Sequence, residues 1–228
     1  MASAVSCTII SPETMKPIRN LLFDYGGVLC DLNWDKMIAA FRELGCNSQA
    51  FSPDIIHDEL FRRIDRGTIG EADFLVGLRK LLHLPNATDT QLVRAWNSLL
   101  GGIPEQRKAA LRRLKDRYRL YLLSNVNEIH WRCCVDQFSD YRGESMWSWF
   151  AQVFVSYKMH LEKPEPEIYL TVARQAGIEP AETLFIDDHE ENVEGARAVG
   201  FQALQALGDA WIAPLDHLMQ TDTLQIQS

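Results

Sequence analysis

Short apolar runs that alternate with helical stretches fill the second half of this sequence, and few folds accommodate them. The runs at 20–24, 119–124, 152–156, 183–187 and 201–205 are rich in Leu, Ile, Val, Phe and Tyr. They are continuous rather than alternating, the pattern of strands buried on both faces of a parallel sheet. The stretch PEQRKAALRRLKDRY places Pro104 at a first helical position and repeats Ala110, Leu111, Leu114 and Tyr118 at helical spacing. EIYLTVARQAG and EENVEGARAVG each end at a glycine suited to close a helix. Strands and helices in this order predict an α/β fold with a doubly wound parallel sheet, a Rossmann-like core.

Residues 35–102 break the alternation. Between the first strand and the strand at 119, only helical patterns are read: WDKMIAAFREL, DIIHDELFRRID, EADFLVGLRKLL and DTQLVRAWNSLL. Arg66-Gly67, Leu84-Pro85-Asn86 and Gly101-Gly102 punctuate them. The expected organisation is a discontinuous α/β core, 16–34 and 103–215, carrying a small helical cap, 35–102, over the carboxyl edge of the sheet. The tail after Leu215 shows no pattern that predicts an element.

Composition removes several classes of function. The chain has 228 residues, 46% hydrophobic and 24% charged, with a formal charge of −8, which argues against a nucleic-acid or membrane-surface binder. The basic stretch 107–119 reads as the solvated face of a helix, because its seven positive charges occupy the positions left over once Ala110, Leu111 and Leu114 face the sheet. No apolar run approaches the ~18 residues of a membrane span, and no basic segment followed by an apolar stretch opens the sequence, so a soluble, cytoplasmic protein is expected. The five cysteines are odd in number and show no C-x-x-C spacing; they read as reduced thiols without zinc. Trp147, Trp149 and Phe150 suit core packing, with an exposed partner surface as the alternative.

Polar groups gather at the ends of three predicted strands, where an α/β sheet can aim them into one crevice. FDYGGVL delivers Asp24 just before Gly26 and Gly27; Asp and Gly are also ordinary turn residues, so the segment alone leaves both readings open. YLLSN ends in Ser124 and Asn125, a hydroxyl and a backbone N–H that can hold a phosphoryl or carboxylate oxygen. Lys163 precedes Pro164, and TLFI is followed by Asp187 and Asp188. Adjacent carboxylates repel unless a cation neutralises them, and hard oxygen ligands favour Mg²⁺.

In this order, FDYGGVL, LLSN, KPEPEIY and FIDDHEENVEGA resemble the four motifs of the haloacid dehalogenase superfamily, and the insert after the first motif resembles its helical-cap subgroup. The resemblance implies Asp24 as a nucleophile that forms an aspartyl-phosphate, and Ser124, Asn125 and Lys163 as phosphate ligands. It implies Mg²⁺ held by Asp24, the Gly26 carbonyl and Asp188, with Asp187 and Asn192 supporting that shell. The activity implied is a Mg²⁺-dependent phosphatase acting on a small phosphorylated metabolite. A catalytically silent phosphate-binding protein and a metal-free dehalogenase are the alternatives.

One position departs from the family. Most of its phosphatases carry a second Asp two residues after the nucleophile, which protonates the leaving group; here that residue is Gly26. The remaining pattern resembles the branch that includes bacterial α-glucose-1-phosphate phosphatase, and an anomeric oxygen leaves with less help than an alkoxide, so a sugar 1-phosphate is the expected substrate. His189 is a candidate replacement donor. In the insert, Arg62 and Arg66 are candidate substrate ligands, with local salt bridges to Asp58, Glu59 or Asp65 as the alternative use of their charge.

Overall fold

Each apolar run becomes a strand because both of its faces are covered. The computed structural model describes residues 16–46, 58–137 and 140–221; Cys7 and the start of the helical pattern at 54–65 lie outside them. From the N-terminus, β1 (Asn20–Phe23) and β2 (Asp31–Leu32) precede helices α1 (Trp34–Glu43), α2 (Glu59–Asp65), α3 (Glu71–Leu81) and α4 (Asp89–Asn97). The chain returns through β3 (Leu100–Gly102), α5 (Glu105–Leu114), β4 (Arg119–Ser124), α6 (Glu128–Gln137) and the hairpin β5 (Asp140–Tyr141) and β6 (Glu144–Ser145). It continues through β7 (Phe150–Val155), α7 (Ser156–Met159), α8 (Pro166–Ala176), β8 (Thr183–Asp187), α9 (Glu190–Ala198), β9 (Gln202–Gln205) and α10 (Ile212–Thr221).

Five strands form one sheet in the order β7-β4-β1-β8-β9, parallel throughout. The chain winds outward from β1 through β4 to β7, then crosses back to β8 and β9, so the direction of winding switches at β1. Ligand crevices of α/β sheets open at such a switch. Phe23 pairs with Leu122 and Ile186, so Asp24 and Asp187 leave the sheet at one level and Ser124 follows a residue later.

Successive residues of β1 feed opposite cores. Leu21 and Phe23 join Leu122, Ile186 and Trp211 on one face; Leu22 joins Tyr121, Phe185 and Tyr169 on the other. Each such side chain contributes about 1.5–3 kcal/mol through burial, which is why the strands read as continuous apolar runs. Met37, Phe41, Phe61, Phe74, Leu78 and Trp96 of the four inserted helices bury one another in a separate cluster that also takes in Ile129 of α6.

Several expectations need correction. The segment between β1 and β4 is not purely helical, because β2 and β3 pair antiparallel, Asp31 with Gly102 and Leu32 with Leu100, bringing the two ends of the insert together. The described part of the tail, up to Thr221, lies in α10, whose Leu215 and Leu218 are buried beside Trp211. Trp211 packs edge-on against Phe23 at 5.1 Å and donates Nε1–H to the Val28 carbonyl at 3.3 Å. The basic helix α5 is not simply a solvated face. Arg107 is buried and bonds Asp31 at 2.8 Å, Asp209 at 2.6 Å and the Leu29 carbonyl at 3.2 Å, while Lys108 is buried and donates to the Asp140 carbonyl at 2.9 Å. Trp149 and Phe150 are buried and Trp147 packs between Tyr25 and Trp131, so this trio is core. Cys30, Cys46, Cys133 and Cys134 are free thiols. Among the described residues no helix is long and apolar enough to cross a membrane.

Candidate active site

Three loops at the carboxyl edge build a buried floor. Asp24 leaves β1, Asp187 ends β8, and Lys163 reaches between them from the loop before α8. The Lys163 ammonium donates to Asp24 Oδ1 at 2.7 Å and to Asp187 Oδ2 at 2.6 Å. Burial opposes a charged lysine, but Asp187 and Asp24 together hold Lys163 above the ordinary range. Burial also opposes an ionised Asp187, yet Lys163, Asn192 Nδ2 at 2.9 Å and the His189 N–H at 2.9 Å keep it below the usual carboxylate range. Asp24 shares the same ammonium with fewer donors, and burial pushes it up to about 7. With Asp24 ionised, two carboxylates bound to one ammonium give the floor a net negative charge.

A third carboxylate completes it. Oxygens of Asp24, Asp187 and Asp188 lie within 4.8 Å of one another, and Asp188 Oδ1 is buried without a hydrogen-bond partner. Buried polar atoms are almost always satisfied, so an orphaned carboxylate oxygen beside two other acids fits a hard divalent cation, for which Mg²⁺ is the apt choice among all-oxygen ligands. The loop after Asp24 is shaped around the Asp188 carboxylate. Gly27 has φ +75°, and a Cβ there would collide with the Asp188 carboxylate. Gly26 is not in the left-handed region; an added Cβ would lie 3.3 Å from the Leu32 side chain.

A cavity of about 260 Å³ opens at the floor, lined by Asp24, Gly26, Ser124 and Lys163 from the core and by Phe61, Asp65 and Trp96 from α2 and α4 of the insert. Its roof is a second polar network. Asn127 Nδ2 donates to Asp65 Oδ1 at 3.0 Å and lies 3.3 Å from His130 Nδ1, while His130 Nε2 lies 3.1 Å from the Trp96 carbonyl. A carbonyl only accepts, so Nε2 carries the hydrogen and Nδ1 accepts from Asn127. Burial lowers His130 to about 4, leaving it neutral. Burial, opposed by the Asn127 bond and reinforced by Glu162, raises Asp65 to about 6. Phe61, Trp96 and His130 stack at 5.3 and 4.8 Å between centroids, giving the roof a rigid aromatic wall.

The fold thus brings Asp24, Gly26, Ser124, Lys163, Asp187, Asp188 and Asn192 to one crevice. Other expected site residues are used differently. Asn125 lines the cavity but spends its side-chain amide on the Lys163 backbone, donating to the carbonyl and accepting from the N–H, each at 2.9 Å, and so holds the lysine loop. Arg62 and Arg66 do not line the cavity. Arg62 bonds Glu162 at 2.7 Å and Arg66 pairs with Glu165, partners about a hundred residues away rather than the local acids of α2. His189 sits at the mouth with its side chain 74% exposed, 3.7 Å from Asp188. Asp65, Asn127 and His130 were missed. Asn127 stands only three residues after Ser124, and extending that motif would have reached it, whereas Asp65 gave no signal beyond ending a helix.

The crossover at β1 and the acids it gathers define an α/β enzyme scaffold built to bind a cation and an anion together. Residues 18–200 match the model of the haloacid dehalogenase-like hydrolases, and the chain belongs to that family. It is 28% identical over 191 residues to D-ribitol-5-phosphate phosphatase of Bacteroides thetaiotaomicron, covering 82% of this chain and 91% of that one. It is 29% identical over 196 residues to a sesquiterpene phosphatase of Aspergillus oryzae, covering 80% and 87%. A solved structure of a family enzyme from B. thetaiotaomicron, in complex with magnesium and inorganic phosphate, is 37% identical, superposes with a TM-score of 0.77 and covers 82% of this chain and 93% of that one.

Proposed function

We propose that this protein hydrolyses the phosphate monoester of a small polyhydroxy metabolite, with Asp24 as the nucleophile. It is a phosphatase of the haloacid dehalogenase type, and its cofactor is Mg²⁺. The observation that carries the substrate reading is the net-negative floor of Asp24, Lys163, Asp187 and Asp188 beneath a cavity of about 260 Å³. That volume falls below the range of about 300–1,000 Å³ typical of drug-sized ligands, which favours a compact leaving group over a terpenoid.

Asp24, the Gly26 carbonyl and Asp188 would hold the ion. Bound there, Mg²⁺ supplies the positive charge that lets a carboxylate approach a phosphate dianion. Lys163 adds charge from the other side and Ser124 a directional hydrogen bond to a phosphoryl oxygen. Asp187, anchored by Asn192 and the His189 N–H, keeps the lysine charged and in place. Asp24 attacks phosphorus to give an aspartyl-phosphate, which water then hydrolyses. The three acids also weigh against a metal-free dehalogenase, which has no use for a carboxylate cluster demanding a cation.

Gly26 favours a sugar 1-phosphate, because no acid stands beside the nucleophile and an anomeric oxygen leaves with little help. A polyol phosphate is the second reading, favoured by the Asp65 carboxylate in the roof. Purified protein with Mg²⁺, assayed against sugar 1-phosphates, pentitol 5-phosphates, aryl phosphates and a prenyl phosphate, tests both. Phosphate release is expected from the first three, little from the prenyl compound, and none in Asp24→Asn. Release from none, with Mg²⁺ and phosphate still raising the Tm, would make the protein a silent binder.

A further inference from the structure

We propose that Asp65, at the end of α2 in the cap, is the general acid and base of this phosphatase, taking the place left empty by Gly26. The proposal rests on the phosphatase reading and extends it by one catalytic residue.

Position comes first. Asp65, at the end of α2 in the insert, and Asp24, at the end of β1 in the core, line one cavity, and a phosphoryl group attacked from the floor expels its leaving oxygen in line, away from Asp24 and toward the cap. The buried Ser156 hydroxyl holds the end of α2 there, donating to the Asp65 carbonyl at 2.6 Å while accepting from the Val126 N–H at 2.9 Å. Ser124 and Val126 belong to the same β4 terminus, so Asp65 is tied to the strand end that faces the phosphate. Of its carboxylate, Oδ1 takes the Asn127 bond.

Lys163 is bound by two carboxylates. His130 has both ring nitrogens committed, one to the Trp96 carbonyl and one to Asn127. Burial, reinforced by the Cys134 and Cys30 thiols, holds the Tyr25 hydroxyl well above the ordinary tyrosine range. His189 lines the cavity with its side chain 74% exposed, and its Nε2 lies 3.7 Å from Asp188 Oδ2, so its proton is drawn to that carboxylate. Asp65 stays as the lining group that can carry a proton without breaking an ion pair. The charged and ionisable groups around it are Glu162 across from α2, Arg62 and Arg66 on its own turn, neutral His130 from α6, and the floor. Burial raises its carboxyl to about 6, in the working range of a group that must first give a proton and then take one.

The steps balance. As Asp24 bonds to phosphorus, the bond from phosphorus to the leaving oxygen breaks, and that oxygen keeps the electron pair and takes the Asp65 proton. The alcohol departs and Asp65 is left as carboxylate. Asp65 then accepts a proton from the water that attacks the aspartyl-phosphate; the bond to Asp24 breaks, and its electron pair returns to the Asp24 carboxylate.

The test compares Asp65→Asn with the parent on two leaving groups, ribitol 5-phosphate and 2,4-dinitrophenyl phosphate, using full-length protein with Mg²⁺. On the alkyl ester kcat/KM is expected to fall by about 10²-fold or more, as for loss of a general acid. On the aryl ester kcat/KM is expected to stay within about threefold, with a burst of one dinitrophenolate per site as the phosphoenzyme accumulates without its base. The alkaline limb of the parent's alkyl-ester pH profile should flatten, and inorganic phosphate should still raise the variant's Tm. Equal losses on both esters, or no burst, would overturn the proposal and leave the phosphatase reading standing. Should the variant not fold, the parent decides: hydrolysis of the aryl ester alone overturns the proposal, comparable hydrolysis of both supports it. A parent inert toward both sinks the phosphatase reading itself.

Discussion

The cavity has two polar walls built on opposite rules. The floor places one ammonium among three carboxylates, with Asp188 Oδ1 left bare. The roof places one carboxylate against one neutral donor, Asn127, which also reaches the neutral His130, with no cation in its hydrogen-bond network. A wall with surplus negative charge invites a cation and, through it, an anionic substrate. A wall whose one acid lies buried without a counter-charge tends to keep a proton. The contrast teaches that burial alone does not assign a carboxylate its job: Asp187, with the ammonium and two N–H donors, is driven down, whereas Asp24 with the shared ammonium and Asp65 with a single amide donor are pushed up.

Removing the floor's cation should break the contrast most severely. Lys163→Met leaves Asp24 and Asp187 buried and facing each other, and loss of one member of a buried ion cluster costs about 3–5 kcal/mol. Urea unfolding should show that loss, with turnover abolished; a variant as stable as its parent would mean that the floor is not held by charge. A smaller effect is expected in the roof, of opposite sign. The raised pKa means that the folded state binds the Asp65 proton more tightly than the unfolded chain, so this group's stabilisation is complete below about pH 4 and lost as pH rises through about 6. Asp65→Asn should therefore match the parent's Tm near pH 4 and exceed it above pH 7. A Tm gain independent of pH would deny the carboxyl its raised value. The least effect belongs to Gly26→Asp, which must displace the Leu32 side chain 3.3 Å from its Cβ. Alkyl-phosphate hydrolysis should gain less than about threefold in the parent but about tenfold in Asp65→Asn, because the second acid is redundant only while the first is present. Equal gains in both backgrounds would separate the two walls.

Which parts were legible follows from range. The five strands and the residues at their ends were readable because burial on both faces writes itself into contiguous sequence, and because Asp24, Ser124 and Asp187 each terminate such a run. β2 and β3 have two and three residues, too few for any periodicity. Arg107 looked solvated because its partners Asp31 and Asp209 are remote in the chain and the helix pattern around it is that of a surface. The same holds for the cap: Arg62 and Arg66 were weighed against the acids beside them, whereas Glu162 and Glu165 claim them and leave Asp65 free to face the cavity. A sequence displays the neighbours within a turn or two; it does not display which distant element will remove a competing charge.

The two adjacent glycines after Asp24 carry this into heredity. Every change of a glycine codon that alters the residue adds a side chain, and at Gly27 the first added atom meets the Asp188 carboxylate on a backbone already in the left-handed region. One position along, Gly26 meets only the yielding tip of Leu32. Neighbouring codons of the same meaning thus differ in how freely they can drift: position 27 is closed to every alternative, while position 26 stands open to acquire a catalytic acid by one-residue change.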